Sequence, residues 1–478
     1  MNLPRRNSIT DSNYHWFVLA TVFIGTFMAP LDSSIVNIAM PTLSKFFSVD
    51  ITTIGWVATA YLLATSSLLL TAGRLGDMIG HKRIYIAGFV TFTTASALCG
   101  LAGDIQQLIA FRVIQALGAT CLMSTAPAIL TDAFPPKDRG KALGMIGVAV
   151  SIGLTVGPFL GGIILSNFGW RWIFYVNVPI GIVAVTVASL ILRESKPSTS
   201  KRFDYMGAGT AFAALLSLLL ALSMGDRWGW SSTTTIALYV TAILFSVLFI
   251  MVEKREEDPM LDLSLFKLRL FSAANVSAFI NYAAMFVVTF LIPFYLIYVL
   301  KETPQKAGTI MTAIPLTIAI VAPISGALSD RIGSRLLSSL GLGVTMLALI
   351  GLSQTSVAMG VMPIAVLLGV LGFGSGLFQT PNSSAIMGSV PKNRLGIASG
   401  MQGTMRNVGM VLGIALAGAI VDTIAPNGPA DIHLTSAIHT SFIVGAAIAG
   451  LGVVTSLVRG SQTNELHQYE QRAGAEID

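Results

Sequence analysis

Long apolar runs separated by short polar turns dominate this chain. Runs of spanning length fall near 16–40, 52–72, 84–102, 106–130, 141–165, 171–192, 205–225, 234–252, 271–300, 304–328, 336–354, 361–385, 396–421 and 437–458. About 20 apolar residues in a helix cross the hydrocarbon of a bilayer. The pattern therefore predicts fourteen transmembrane helices in an all-α polytopic membrane protein, the longest of them tilted or extending past the lipid. Composition agrees: 54% of residues are hydrophobic and 11% charged, too few charges to cover a soluble protein of 478 residues.

Charge adds the orientation. The +6 net charge suggests a nucleic-acid partner only until the cations are placed, because they sit in short loops and form no stripe; no nucleic acid is expected. With the N-terminus inside, the inner segments hold 22 basic residues, among them Arg5, Arg6, Lys137, Arg193, Lys196, Lys201, Arg202, Lys392, Arg394, Arg459 and Arg472. The outer segments hold five, Lys45, Arg171, Arg227, Lys301 and Lys306. This bias puts both termini in the cytoplasm and requires an even number of helices. Arg5 and Arg6 precede an apolar run too long for a cleavable signal. Cys99 and Cys121 both fall inside predicted helices, which indicates no disulfide framework.

One polar turn occurs twice. Gly73-Arg74-Leu75-Gly76-Asp77-Met78-Ile79-Gly80-His81-Lys82-Arg83 returns 253 positions later as Gly326-Ala327-Leu328-Ser329-Asp330-Arg331-Ile332-Gly333-Ser334-Arg335. Duplication of a helix bundle explains the matched Gly, Asp and cation. The first copy resembles the signature loop of the major facilitator superfamily, G-x-L-x-D-x-x-G-x-[KR]-[KR], and the second is a degenerate version. The resemblance implies two six-helix halves and a cytoplasmic latch built of Gly73, Asp77, Gly80, Lys82, Arg83, Asp330, Gly333 and Arg335. The bland reading is a basic turn that only sets topology. The copies follow helices two and ten, so two further helices lie between the halves. The expected division is an N-terminal half over 1–195, the two extra helices with a charged linker over 196–265, and a C-terminal half with tail over 266–478. The extra helices carry few polar residues and are expected to face lipid.

Asp32 is the one acid well inside an apolar run, about 12 Å from the outer end of helix one. An intramembrane carboxylate is costly and therefore a functional candidate. Its surroundings, Leu31-Asp32-Ser33-Ser34-Ile35-Val36-Asn37-Ile38-Ala39-Met40-Pro41, are similar to the first-helix motif of the fourteen-helix drug:proton antiporters. Arg112, about 9 Å from the outer end of helix four, lies at a matching depth. It is the candidate partner, either in proton coupling or in a permanent structural ion pair. Gly153, Gly157, Pro158, Gly161 and Gly162 in helix five give a flat face and a backbone acceptor freed by proline. They resemble the superfamily's exporter motif; the spacing alone says only that helices touch there. Trp170-Arg171-Trp172-Ile173-Phe174-Tyr175-Val176-Asn177-Val178-Pro179-Ile180-Gly181 resembles the same antiporters and reads as mainly structural. The resemblance places Asn37, Gln115, Gln379, Asn382, Gln402 and Arg406 on cavity-lining helices. Phe286, Phe290, Phe294 and Tyr295 fit an apolar pocket or ordinary core.

No G-x-x-x-x-G-K-[ST] loop occurs, no metal-ligand cluster is visible and no nucleophile has a base at workable spacing. No cofactor and no enzymatic activity are expected; a proton gradient would drive transport. The resemblance implies an exporter of lipophilic drugs in the inner (cytoplasmic) membrane, whose partners are a small-molecule substrate, protons and the lipid bilayer. In a double-membrane bacterium it allows a periplasmic adaptor protein. Dedicated export of one metabolite or lipid, and a sensor that does not transport, are the other readings. With one buried acid and two buried cations, neutral or monocationic substrates are expected, with Arg406 leaving room for some anions.

Overall fold

The computed structural model describes residues 13–135, 138–194, 204–229, 231–255, 263–390, 395–426 and 433–459. Arg5, Arg6, Lys137, Lys196, Lys201, Arg202, Lys392, Arg394 and Arg472 lie outside them, as do the side chains of Arg74, Asp77 and Asp330. Among the described residues the secondary structure is helical throughout.

The helices are α1 Tyr14–Phe47, α2 Ile51–Ile79, α3 His81–Leu101, α4 Ile105–Ala133, α5 Arg139–Asn167, α6 Trp172–Ile191, α7 Tyr205–Trp228, α8 Thr233–Glu253, α9 Arg269–Val299, α10 Pro304–Met311 with Ala313–Ile332, α11 Ser334–Ser353, α12 Met362–Gly388, α13 Leu395–Ile424 and α14 Leu434–Leu457. Thirteen are long and apolar enough to cross a membrane; α7 has a shorter apolar stretch, Met206–Leu222. The bundle has two ends. The terminal end carries the start of α1, the α2–α3 turn and the end of α14. The distal end carries the α1–α2 turn.

Local chemistry sets the helix starts. Asp50, Asp104, Asp204, Ser232 and Thr303 each accept a backbone N–H three residues on, capping α2, α4, α7, α8 and α10. Proline does not end helices where the apolar pattern suggested. Pro41 lies inside α1, which continues to Phe47 and closes on Ser48 in the left-handed region. Helix α6 is interrupted at Val176, two residues after Phe174, and α9 finishes in a π turn over Tyr295–Val299, just past Pro293.

The repeat seen in sequence is present in the backbone. Helices α2 and α3 are joined by Gly80 alone, at φ 109°, and α10 and α11 by Gly333 alone, at φ 87°. A one-residue link at positive φ needs glycine. Close packing repeats as well. A Cβ on Gly88 would lie 3.0 Å from the Gly118 carbonyl oxygen, and one on Gly341 2.6 Å from that of Gly374. Helices α3 and α4, and likewise α11 and α12, thus approach backbone to backbone.

The halves meet along α2 with α13 and α5 with α10. Both seams are tight at the distal end. A Cβ on Gly308 would fall 2.1 Å from the Pro158 carbonyl oxygen, and one on Gly162 2.7 Å from that of Pro304. Phe290 fills the space beside Gly55 and Ile414, and Tyr298 donates to the Pro41 carbonyl across the halves. Helix α7 is not simply lipid-facing: it packs on both α2 and α13, with α8 outside it. Only 11% of the most apolar window of α8 is buried, which leaves that helix as a lipid-facing span.

Helix α5 meets α1 through its glycines. A Cβ on Gly153 would lie 2.8 Å from the Phe27 carbonyl oxygen, one on Gly157 2.5 Å from Ser34 Cβ and one on Gly161 2.8 Å from Ile38 Cγ2. Pro158 has no N–H for the carbonyl four residues back, and Ser34 Oγ donates to that carbonyl, Leu154, at 3.1 Å. Removing the hydroxyl would orphan a buried acceptor, at a cost of about 1–3 kcal/mol. Ser34→Ala should therefore lower the melting temperature of detergent-purified protein. In a Pro158→Ala background the new N–H can serve Leu154, and the same change should cost much less. Equal losses in the two backgrounds would show that the hydrogen bond is not what joins these helices.

Candidate functional site

Asp32 sits near the midpoint of α1 with 0% exposure. Four other helices supply its surroundings. Arg112 of α4, 1% exposed, pairs through Nη1 with Asp32 Oδ2. Gln115, one turn on, donates from Nε2 to Oδ1 at 2.9 Å, and Asn177 of α6 donates from Nδ2 to the same oxygen at 2.8 Å. Spacing explains the pair on α4, since residues three apart share a helix face. Arg112 also donates to the Val57 carbonyl of α2 through Nε at 3.1 Å and to Gln115 Oε1 at 2.5 Å. Its guanidinium stacks 4.2 Å above the Tyr61 ring. Ser96 of α3 accepts from Gln115 Nε2 at 2.8 Å, and Cys99 Sγ approaches Gln115 Oε1 at 3.9 Å.

This set answers the cost of two buried charges. Stripping a carboxylate and a guanidinium of water costs several kcal/mol each, recovered only with good geometry and filled hydrogen-bond positions. Both Asp32 oxygens are occupied, and Arg112 has an anion, a carbonyl, an amide and a ring. Protonating Asp32 would remove the anion but leave Arg112 its other three partners. The cluster can therefore exist in two charge states without stranding the guanidinium.

The other sequence candidates separate. Gln115 belongs to the Asp32 cluster, so its amide is committed there. Asn37 is buried (8% exposed) on α1. Asn382 donates to the Ala274 carbonyl at 3.1 Å and accepts from Arg459, making it a strut between α9, α12 and the end of α14. Gln402 donates to Ser383 across α12 and α13, while Gln379 is half-buried on α12. Arg406 lies near Tyr282. Phe290, Phe294 and Tyr295 are buried, and Phe286 is 9% exposed.

In the glycine loop, Lys82 donates to the Ser189 carbonyl at 2.9 Å and Arg83 pairs with Glu194 at 3.4 Å. Both partners lie at the end of α6, in the same half. A Cβ on Gly80 would collide with Glu194 Oε1, whereas Gly333 has open space around it and Arg335 is exposed. Gly73 faces Ser124 of α4.

Two residues depart from their sequence reading. Asn177 stands in a run that reads as mainly structural, yet it completes the carboxylate's shell; a lone amide in an apolar helix is the available signal. Arg459 reads as a loop cation. It is 2% exposed, held by Asn382 and by Ser338 Oγ at 3.3 Å, and nothing in the local sequence marks it.

Two related helical halves, the first built around a buried polar cluster, with almost every helix of spanning length, are the architecture of a multi-pass membrane transporter. A family model described as Major Facilitator Superfamily matches residues 22–205 and 274–474, and the chain belongs to that superfamily. The unmatched stretch between the two segments contains nearly all of α7 and all of α8. The chain is 35% identical over 449 residues to the riboflavin transporter RibZ of Clostridioides difficile, covering 92% of this chain and 97% of that one. It is 34% identical to the multidrug resistance protein Stp of Mycobacterium tuberculosis, covering 83% and 74%. A solved bacterial homolog of the human lysosomal transporter Spinster, inward-facing and unoccupied, aligns with TM-score 0.68 at 16% identity over 95% of this chain and 100% of that one, a likeness of fold.

Breaking one side of the ion pair should be worse than removing both. Asp32→Asn leaves Arg112 its carbonyl, amide and ring but takes away its anion, and should destabilise the purified protein by about 1–3 kcal/mol, the cost of a lost charge-assisted contact. Adding Arg112→Gln should recover a large part of that loss. Thermal melts of the two single variants and the double variant give the coupling; additive losses would mean the two charges are independent.

Proposed function

We propose that this transporter is a proton-coupled exporter of lipophilic small molecules, seated in the cytoplasmic membrane with both termini inside. The observation that carries the reading is Asp32, a single acid at mid-span held by a cation and two amides. Its charge can change while Arg112 keeps other partners. Loading a proton would release α1 from α4 and α6, and the Ser34–Leu154 bond would pass the shift to α5. Helix α5 in turn bears on α10 of the other half through Pro158 and Gly308. A rocking of the halves driven by one protonation needs such a contiguous route. The basic residues of the terminal end support its cytoplasmic placement, and the fit to the exporter motif supports the direction.

The named relatives favour drugs in one case and a single metabolite in another. Stp supports a multidrug role, while RibZ supports a second reading, a dedicated carrier of a flavin-like compound. Inverted membrane vesicles energised to an acidic interior decide between them. Accumulation of several unrelated lipophilic dyes, abolished by collapsing the pH gradient and by Asp32→Asn with normal protein levels, is the expected result. Accumulation of riboflavin alone would favour the dedicated carrier. Full gradient-driven uptake by Asp32→Asn would return Asp32 to a structural role.

A further inference from the structure

Arg406 lies near the middle of α13, on the face that also presents Ser399, Gln402 and Met410. Exposure along this face falls steadily. Ser399 is exposed, Gln402, Arg406 and Met410 are half-buried, and Ile414 and Ala417 are buried at 4% and 0%. Helix α2 across the seam shows the same trend, with Tyr61 to Ser67 buried and Leu68 and Leu69 half-buried. The seam is therefore a wedge, closed at the distal end and open at the terminal end, with Arg406 at mid-depth.

Among the described residues, Arg112, Arg459 and Arg406 differ in what they hold. Arg112 has Asp32, and Arg459 has Asn382, Ser338 and the Phe378 ring at 5.9 Å. Arg406 lies near Tyr282, and its Nε is buried without a partner. Among the described residues no carboxylate pairs with it. Asp32 cannot serve, because both its oxygens are occupied in the other half. The acid expected to meet a monocation is thus sealed, and the charge facing the wedge is positive.

A half-desolvated guanidinium with a vacant N–H recovers the cost of its position when an anion arrives. Its planar fork matches a carboxylate or a similar acidic oxygen pair better than any other group. We infer that Arg406, with Tyr282 beside it, is a substrate subsite for the acidic oxygen group of an otherwise lipophilic molecule. The subsite depends on the transport reading only for the steps after binding. The apolar remainder of the ligand would lie along the Met410–Ile414 side of the wedge. Cationic lipophiles would be disfavoured there, which narrows the substrate class expected from the sequence.

The test is binding to the full chain purified in detergent. Fluorescein and rhodamine 6G share a xanthene core and differ in the sign of their charge, so each is titrated by fluorescence anisotropy. The expected result is tighter binding of fluorescein. Arg406→Gln should weaken it about tenfold or more relative to rhodamine 6G, the loss of one charge-assisted contact. Arg406→Lys keeps the charge without the planar fork and should restore only part of the preference. Equal affinities for the two dyes, or an Arg406→Gln variant that weakens both alike, would overturn the assignment. Competition of bound fluorescein by naphthoate against naphthylmethylammonium reads the same preference on unaltered protein, should a variant fail to fold; equal competition also overturns it. Anion-selective binding without uptake in energised vesicles would leave this subsite standing and sink the export reading. Uptake of rhodamine 6G with no fluorescein binding would do the reverse.

Discussion

A charged carboxylate at the centre of a membrane-spanning helix has to be neutralised by its neighbours, and that requirement shapes the whole N-terminal half. Arg112 supplies the charge, but a bare ion pair would not offset the loss of hydration. Gln115 and Asn177 fill one oxygen of Asp32, and Val57 and Tyr61 hold the guanidinium. Five of the six helices in that half are tied together by one acid. The sixth, α5, contributes nothing polar to the cluster and instead joins α1 two residues further on.

That junction is where the two motifs of α1 and α5 become one device. Pro158 leaves the Leu154 carbonyl without its helical partner, and Ser34 takes it. The glycines on either side remove the side chains that would hold the helices apart. The same proline turns its own carbonyl toward Gly308 of the second half, and Gly162 meets Pro304 beside it. A displacement of α1 at Asp32 therefore has a short route to the distal seam, through packed backbone with no flexible side chain to absorb it.

Much of this is legible in sequence, and for identifiable reasons. Fourteen apolar runs, the duplicated glycine turn and the depth match of Asp32 with Arg112 follow from length, periodicity and helical rise, which depend on few variables. The features that escape a sequence reading depend on three-dimensional register. Asn177 reaches Asp32 from just beyond the break of α6 at Val176, and a break of one residue has no compositional mark. Arg459 looks like any loop cation, since its burial is decided by Ser338 and Asn382 on distant helices. The apolar pattern ends helix one near Pro41, where proline usually stops a helix; α1 instead runs on to Phe47.

The duplication also shows what the second half has given up. A shift of 253 residues carries Gly80 onto Gly333 and Gly88 onto Gly341, so turn and packing persist. In the packed helices the offset differs slightly: Gly118 answers Gly374 and Phe27 answers Phe279, which carries Arg112 onto Leu368 and Asp32 onto Ala284. Ala284 and Leu368 are both fully buried, apolar residues where the first half has an ion pair. The second half has no ion pair at the equivalent place, and its buried cation, Arg459, is held by neutral partners. In the same half Arg406 stands on the open face of α13 and not in the interior between helices. One fold repeated twice thus places an internally neutralised acid on one side of the seam and an accessible cation on the other. Because these charges are not wired to each other, the proposed proton at Asp32 and the proposed ligand at Arg406 would influence one another only through movement of the helices between them.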